Sequence, residues 1–300
     1  MKITVTGSLG NISRILSEKI VASGHEVSII TSNSERVKEI EQLHAIPLVG
    51  KLDDLDFINH AFKEADVVYT MVPPSYATTE QIKKVGETYA KAIEKNKVPF
   101  VVNLSGIGAH LPKGPGPSSA NYYIENLFNS LGQGNVIHLR PGMFYSNFYG
   151  MIDLIKYQNI IGNNFDENIV LPLSHPSDIA SVAFDAIHYR NFNEKPYKYV
   201  VSDEITGKEI AQKLGKAIGK NDLKWVEFPD EEMLQALLQQ GMTEQMATTY
   251  IIDMGIALRD GSLLETYFKE KTELSGKIKF DEFAKEFSFV YTTNNIHPAH

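Results

Sequence analysis

The sequence contains no cysteine. That excludes disulfides, thiolate metal sites, iron–sulfur ligation and a cysteine nucleophile, and it fits the cytoplasm. Positive charge is not in excess. With 29 Lys and Arg against 37 Asp and Glu the formal net charge is −8, and the lysines are scattered among glutamates. A chain that grips nucleic acid through phosphates carries a basic stripe, so no direct nucleic-acid contact is expected. No apolar run reaches the ~18–20 residues of a membrane helix, and no secretory leader is expected ahead of the first strand pattern. The nine histidines form neither His-x-x-x-His nor His-Glu-x-x-His, so no metal site is expected. Gly-x-Ser-x-Gly is absent too, and Leu104–Gly108 carries only a wrongly spaced fragment of it. No flexible linker, low-complexity tract or internal repeat interrupts the chain.

What is present suits one or two globular domains: 300 residues, 43% hydrophobic and 22% charged. In the first half short β-rich runs alternate with helical patterns. Strands are predicted over 2–6, 26–31, 45–49, 67–72, 99–104 and 136–139, and helices over 11–23, 34–43, 53–63, 77–95 and 118–131. The first helix puts Ile12, Ile15, Leu16, Ile20 and Val21 on one stripe, and Gly24 suits its C-terminal cap. Strands that read as continuous apolar runs between helices belong to a parallel sheet covered on both faces. The second half is more helical, over 176–189, 206–218, 230–239, 243–258 and 279–288, with two strands over 197–201 and 223–228. The expected fold class is α/β: a Rossmann-type doubly wound parallel sheet with a smaller, mostly helical C-terminal substrate lobe. The division is placed at 1–150 for the nucleotide-binding domain and 151–300 for the α+β lobe, with some segments free to interleave.

The sharpest motif, Thr6-Gly7-Ser8-Leu9-Gly10-Asn11-Ile12-Ser13, lies between the first strand and the first helix. Gly7 permits a tight turn, and Gly10 removes a side chain where a pyrophosphate would lie. The helix beginning near Asn11 offers N–H groups and the positive end of its dipole. At the end of the second strand an Asp or Glu would hold a ribose 2′-hydroxyl. Here the stretch is Thr31-Ser32-Asn33-Ser34-Glu35-Arg36. Ser32, Asn33 and Arg36 suit a 2′-phosphate, which favours NADP with NAD as the alternative; Arg36 is equally readable as a solvated helix charge.

The local pattern resembles the Thr-Gly-x-x-Gly-x-x-Gly loop of extended and atypical short-chain dehydrogenases, with Ser13 in place of the third glycine. Further blocks keep the order seen in NmrA-like proteins: Gly24–Val27, Leu52–Asp54, Asp66–Val68, Asn103–His110, Leu139–Asn147, His175–Ala180 and Glu209–Ala211. The chain is similar to that family over roughly residues 1–260. The resemblance implies that Ser8, Leu9, Asn11 and Ile12 wrap the pyrophosphate and that Met71, Val72 and Pro73 lie along the adenosine. Gly50-Lys51 stands where relatives often have Gly-Asp near the adenine, which leaves Lys51 for a phosphate.

Catalytic chemistry is less legible. Short-chain dehydrogenases use Tyr-x-x-x-Lys, where lysine lowers the tyrosine pKa. No register of Ser118–Phe128 supplies it: Pro117 pairs with Asn121, Tyr122 with Asn126, and Tyr123 with Leu127. The remaining candidates are Ser105, Tyr122 and Tyr123, with Asn147 lining the pocket. Each has a plain structural alternative, as do His110, His175 and the aromatic stretch Met143–Tyr149. The resemblance implies an NAD(P)H-dependent reductase of a small planar carbonyl or quinone-like substrate, or else a non-catalytic NAD(P)-binding redox sensor that regulates a protein partner. A homodimer and a regulatory protein partner both stay open, and no membrane partner is expected.

Overall fold

The computed structural model describes residues 1–132, 135–190, 196–271 and 273–293. The first half alternates strictly: β1 (Lys2–Val5), α1 (Ser13–Ala22), β2 (Glu26–Thr31), α2 (Val37–Gln42), β3 (Ile46–Val49), α3 (Leu55–Ala61), β4 (Val67–Thr70), α4 (Thr79–Asn96), β5 (Phe100–Leu104), α5 (Ser118–Asn129) and β6 (Asn135–Pro141). There follow β7 (Met143–Phe144), α6 (Ile152–Gln158), β8 (Ile160–Asn163), β9 (Val170–Ser174), α7 (Pro176–Tyr189), β10 (Tyr197–Val200), β11 (Asp203–Thr206), α8 (Gly207–Ile218) and β12 (Lys224–Glu227). The chain ends in α9 (Asp230–Gln239), α10 (Glu244–Ala247), α11 (Asp253–Arg259), α12 (Glu265–Glu270) and α13 (Phe280–Thr293).

Seven strands form one parallel sheet in the order β10-β6-β5-β4-β1-β2-β3. This is the expected doubly wound α/β fold. Successive strands are added in one direction from β1 to β3 and in the other from β4 to β6, and the switch point between β1 and β4 opens a crevice at the strands' carboxyl ends. Both faces are covered, which is why the strands read as unbroken apolar runs. Helices α1, α2 and α7 close one face around Val5, Leu16, Ile20, Ile29 and Ile179. Helices α3, α4 and α5 close the other around Phe62, Val68, Ile82, Tyr89 and Phe128.

Local signals set the ends of these elements. Gly24 at φ +77° follows α1, where only glycine is relaxed. Asp54 caps α3 by accepting from the N–H groups of Asp56 and Phe57. Thr78 and Gln81 form a reciprocal capping box on α4.

The second core joins β8, β9, β11, β12, α6, α8 and α13 around Tyr145, Phe148, Trp225, Phe280, Phe283 and Phe287. The aromatic stretch after β6 therefore packs, through Tyr145 and Phe148, against the face of α13. α7 and β10 come from the second half of the sequence but belong to the central sheet and its cover.

A polar ladder crosses the sheet inside the α5 layer. Thr70 Oγ1 donates to Asn103 Oδ1 at 2.9 Å, Asn103 Nδ2 donates to His138 Nδ1 at 3.0 Å, and His138 Nε2–H donates to Asn129 Oδ1 at 3.2 Å. These partners hold the imidazole neutral, and burial pushes its pKa down from 6.5 to about 4. The unfolded chain binds this proton below pH 6.5 and the folded chain does not until about pH 4. His138 therefore adds stability fully above pH 6.5 and loses it as pH falls towards 4, by up to about 3 kcal/mol. Urea unfolding between pH 7 and pH 4 checks this. A His138→Gln variant is expected to have lower stability at pH 7 and a shallower pH slope; an unchanged slope contradicts the assignment.

Candidate functional site

The turn from β1 into α1 opens the crevice. Gly7 sits at φ +88° and Ser8 at φ +54°, two consecutive left-handed residues. A Cβ on Gly7 would come within 2.5 Å of Ser13 Oγ and 2.9 Å of Met71 Sδ, so no side chain fits. Ser8 accepts a conformation that costs a non-glycine residue ~1 kcal/mol. It is held there by its N–H on Ile30 O (3.0 Å) and its hydroxyl on Thr31 Oγ1 (2.9 Å). Ser13 fills the third glycine position because its buried hydroxyl donates to Thr6 O at 2.9 Å, tying helix to strand. Ile12, at the helix cap, brings no side-chain cap, and no acidic residue stands in the first turn. An anion is the natural complement of such a helix start.

Beside this turn lies a pocket of about 280 Å³. Gly7, Ser8, Ile30, Thr31, Ser32, Asn33, Arg36, Leu52, Pro73, Ser75 and Tyr76 line it. Asn33 accepts from Glu35 N–H at 2.9 Å, which starts a 3₁₀ turn that ends in Arg36, itself part of the pocket lining. Among the described residues no carboxylate engages the Arg36 guanidinium.

The other sequence-derived positions fall in different places. Leu9 and Ile12 are core side chains, which leaves only their backbone for a ligand. Gly10 and Asn11 stay at the turn, where a Cβ on Gly10 would meet Gly7 O at 3.2 Å. Met71 packs beneath Gly7, and Val72 joins the α4-side core. Lys51 is exposed and does not line the pocket. Tyr76 lines it without having been singled out; its signal in the sequence is an aromatic just past the Pro73-Pro74 stop.

At the end of β5, Ser105 Oγ donates to Glu125 Oε1 at 2.6 Å. Arg140 grips the same carboxylate through Nε on Oε1 (3.0 Å) and Nη2 on Oε2 (2.6 Å). The pair is buried. The guanidinium lies 3.7 Å from the Tyr197 ring centroid and also donates to Tyr199 OH. The serine hydroxyl donates its hydrogen bond to Glu125, so Ser105 turns its lone pairs, not a donor, towards any ligand. A donor stands close by: Asn121 Nδ2 lies 3.1 Å from where a Gly106 Cβ would be. Asn121 and Glu125 share one face of α5 at i and i+4, bracketing the Ser105–Gly106 turn.

The two tyrosines are not joined to Ser105 by any described contact. Both are exposed, and Tyr123 OH donates to Glu87 on α4 at 2.8 Å. That hydrogen bond raises its pKa above the usual tyrosine value, with burial and the charge of Glu87 adding to it. Asn147 is exposed. His110 bonds Ser262 O through Nε2, and His175 caps α7 by accepting Ser177 N–H, so both hold structure together. No group of three potential metal ligands occurs among the described residues, and none of the described helices is long and apolar enough to cross a membrane.

Removing one partner of the buried pair leaves the other charge stranded. Glu125→Ala is expected to destabilise by about 3–5 kcal/mol. Ser105→Ala, which leaves the ion pair intact, is expected to cost about 1 kcal/mol. Denaturant unfolding of both variants checks this; equal losses would contradict the described arrangement.

Solved structures of three proteins share the fold. The NADPH-dependent quinone oxidoreductase of Escherichia coli, complexed with NADPH, superposes with a TM-score of 0.80 at 16% identity, covering 95% of this chain and 99% of that one. The triphenylmethane reductase of Citrobacter sp., complexed with NADP(H), gives 0.78 at 18% identity over 95% and 99%. NmrA, a negative transcriptional regulator in complex with NADP, gives 0.73 at 16% identity over 98% of both chains. Likeness at such identities speaks for the architecture alone. The model of the NmrA-like family, however, matches residues 1–284. The chain belongs to the NmrA-like family.

Proposed function

We propose that this chain binds NADP(H) at the switch-point crevice and uses it to reduce a small planar carbonyl or quinone-like substrate. The observation that carries the reading is that Gly7, Ser8, Thr31, Ser32, Asn33 and Arg36 line one pocket. It combines a glycine turn, hydroxyl and amide groups, and a cation that no carboxylate engages among the described residues. That donor set fits a 2′-phosphorylated ribose, and the absence of a carboxylate at its rim argues against a free 2′-hydroxyl as the preferred ligand. Related folds crystallised with NADP or NADPH point the same way.

NADPH, when bound, supplies the hydride. The chain's own contribution is to bind, orient and polarise. The start of α1 and the Gly7–Gly10 turn hold the pyrophosphate. Asn121 offers an amide N–H to an oxygen of the substrate, and Ser105 offers an acceptor beside it. Neither exchanges a proton, so the reaction that suits this site is one whose product oxygen takes its proton from water. Quinones meet that condition better than simple ketones.

The second reading, a redox sensor without turnover, is favoured by one set of observations: Tyr-x-x-x-Lys is missing, the Ser105 hydroxyl is spent donating to Glu125, and the Tyr123 hydroxyl is spent donating to Glu87. The two readings part in one assay. NADPH oxidation above background with any member of a quinone panel supports the reductase. No oxidation, together with unequal affinities for NADPH and NADP, supports the sensor, because only differential binding shifts a conformational equilibrium.

Arg36→Ala is expected to weaken NADPH about 10- to 100-fold while leaving NADH nearly unchanged, since it removes a charge-assisted contact to the 2′-phosphate alone. Equal losses for both nucleotides, measured by titration calorimetry, would remove Arg36 from that role.

A further inference from the structure

A second cavity, of about 660 Å³, opens between the start of β9 and the turn that joins α11 to α12. It shares no lining residue with the nucleotide pocket. Its volume is that of a small-molecule site. Ile169, Val170, Leu258, Leu264 and Phe268 make its lining largely apolar. Ile169 and Leu258 pack on the second core, and Leu264 is buried. Val170 and Phe268 stay 38% and 40% exposed, so apolar surface is left facing the concavity, where a ligand that covers it is stabilised.

The charge of the lining has one sign. Its two charged residues are the acids Asp260 and Glu265. Asp260 Oδ1 accepts from Ser262 N–H at 2.8 Å, and hydrogen bonds from Ser262 hold its carboxyl below the usual carboxylate range. It is therefore ionised at neutral pH. Among the described residues no Lys, Arg or His pairs with either acid. Lys271, whose Nζ lies 4.9 Å from the Phe268 ring centroid, is neutralised by Glu204 instead.

We propose that this cavity binds a small organic monocation, an amine or ammonium group on an alkyl or aryl body, with the body against Val170, Leu264 and Phe268 and the head towards Asp260 and Glu265. Apolar area supplies the affinity, and the unpaired carboxylates supply the choice of charge. An anion of the same shape is repelled. The site stands apart from the nucleotide crevice, so the proposal does not rest on the NADP(H) reading.

The test is calorimetric titration of the full chain at pH 7 with three probes of equal chain length: octylamine, 1-octanol and octanoate. Octylamine is a cation at that pH, as a lysine side chain is. Wild type is expected to bind octylamine at one saturable site with a Kd on the order of 10⁻⁴ M, and octanoate at least about tenfold more weakly. The double variant Asp260→Asn, Glu265→Gln keeps an acceptor for Ser262 N–H. It is expected to weaken octylamine at least about fivefold and to leave 1-octanol within about twofold. Phe268→Ala, at an exposed position, is expected to weaken octylamine and 1-octanol together, by about three- to tenfold. Octylamine affinity is expected to be unchanged by saturating NADPH. No saturable octylamine site, octanoate bound as tightly as octylamine, a double variant within about twofold of wild type for octylamine, or displacement of octylamine by NADPH overturns the proposal. The comparison of probes on wild type depends on no variant's folding. A chain that binds octylamine as described but not NADPH upholds this site and contradicts the cofactor reading, so the two failures are separable.

Discussion

The turn between β1 and α1 closes on Gly7, whose backbone lies against Ser13 Oγ and Met71 Sδ with no room for a Cβ. That close approach sets the rest of the site. It lets Ser13 tie α1 to β1 through Thr6 O, and it brings the end of β4 beneath the turn. Thr6 Oγ1 accepts from Met71 N–H at 2.8 Å, and Tyr89 OH donates to Met71 O at 3.0 Å, so α4 is held to the same point. The pocket wall at Pro73 and Tyr76 follows directly from where β4 ends. A helix start without a side-chain cap, a strained Ser8 and a pocket rimmed by Arg36 then share one location, as an anionic nucleotide requires.

Further along the same sheet edge, the buried Glu125–Arg140 pair decides what Ser105 can do. Desolvating two charges is costly, and this pair is compensated by its bidentate geometry, by the Tyr197 ring beneath the guanidinium and by Tyr199. Its chemical consequence lies in polarity: a carboxylate can only accept, so the serine hydroxyl must donate to it. The hydrogen-bond donor for a ligand oxygen then has to come from elsewhere, and Asn121 stands one helical turn from Glu125.

Much of this was legible in the sequence, for identifiable reasons. The first half is regular because each βα unit buries its own apolar stripe, so period and caps announced nearly every element. Asp54, Thr78 and Gly24 act as their residue types suggest. The glycine turn, Ser8, Ser32, Asn33, Pro73 and Arg36 do meet at one pocket. Of the short strands of the second core, β12 was legible, whereas β8, β9 and β11 were not. β8 ends in Gly162-Asn163, and β9 carries Pro172 at its centre, both poor strand signals whose pairing depends on distant partners. The stretch 243–258 reads as one helix but widens into a π-helical turn at Thr248–Ile252, where β-branched residues crowd and Asn164 Nδ2 donates to Ile252 O. Nothing local told that Tyr123 would bond Glu87 or that Ser105 would donate to Glu125, because both depend on how α5 packs against its neighbours.

The central claim is that the β1–α1 turn and its pocket hold a 2′-phosphorylated dinucleotide. Parallel calorimetric titration of the purified chain with NADPH, NADP, NADH and NAD tests it most directly. The account predicts one binding site per chain and tighter binding of both phosphorylated forms than of their unphosphorylated counterparts. Binding of none of the four, or tighter binding of NADH and NAD, would contradict it.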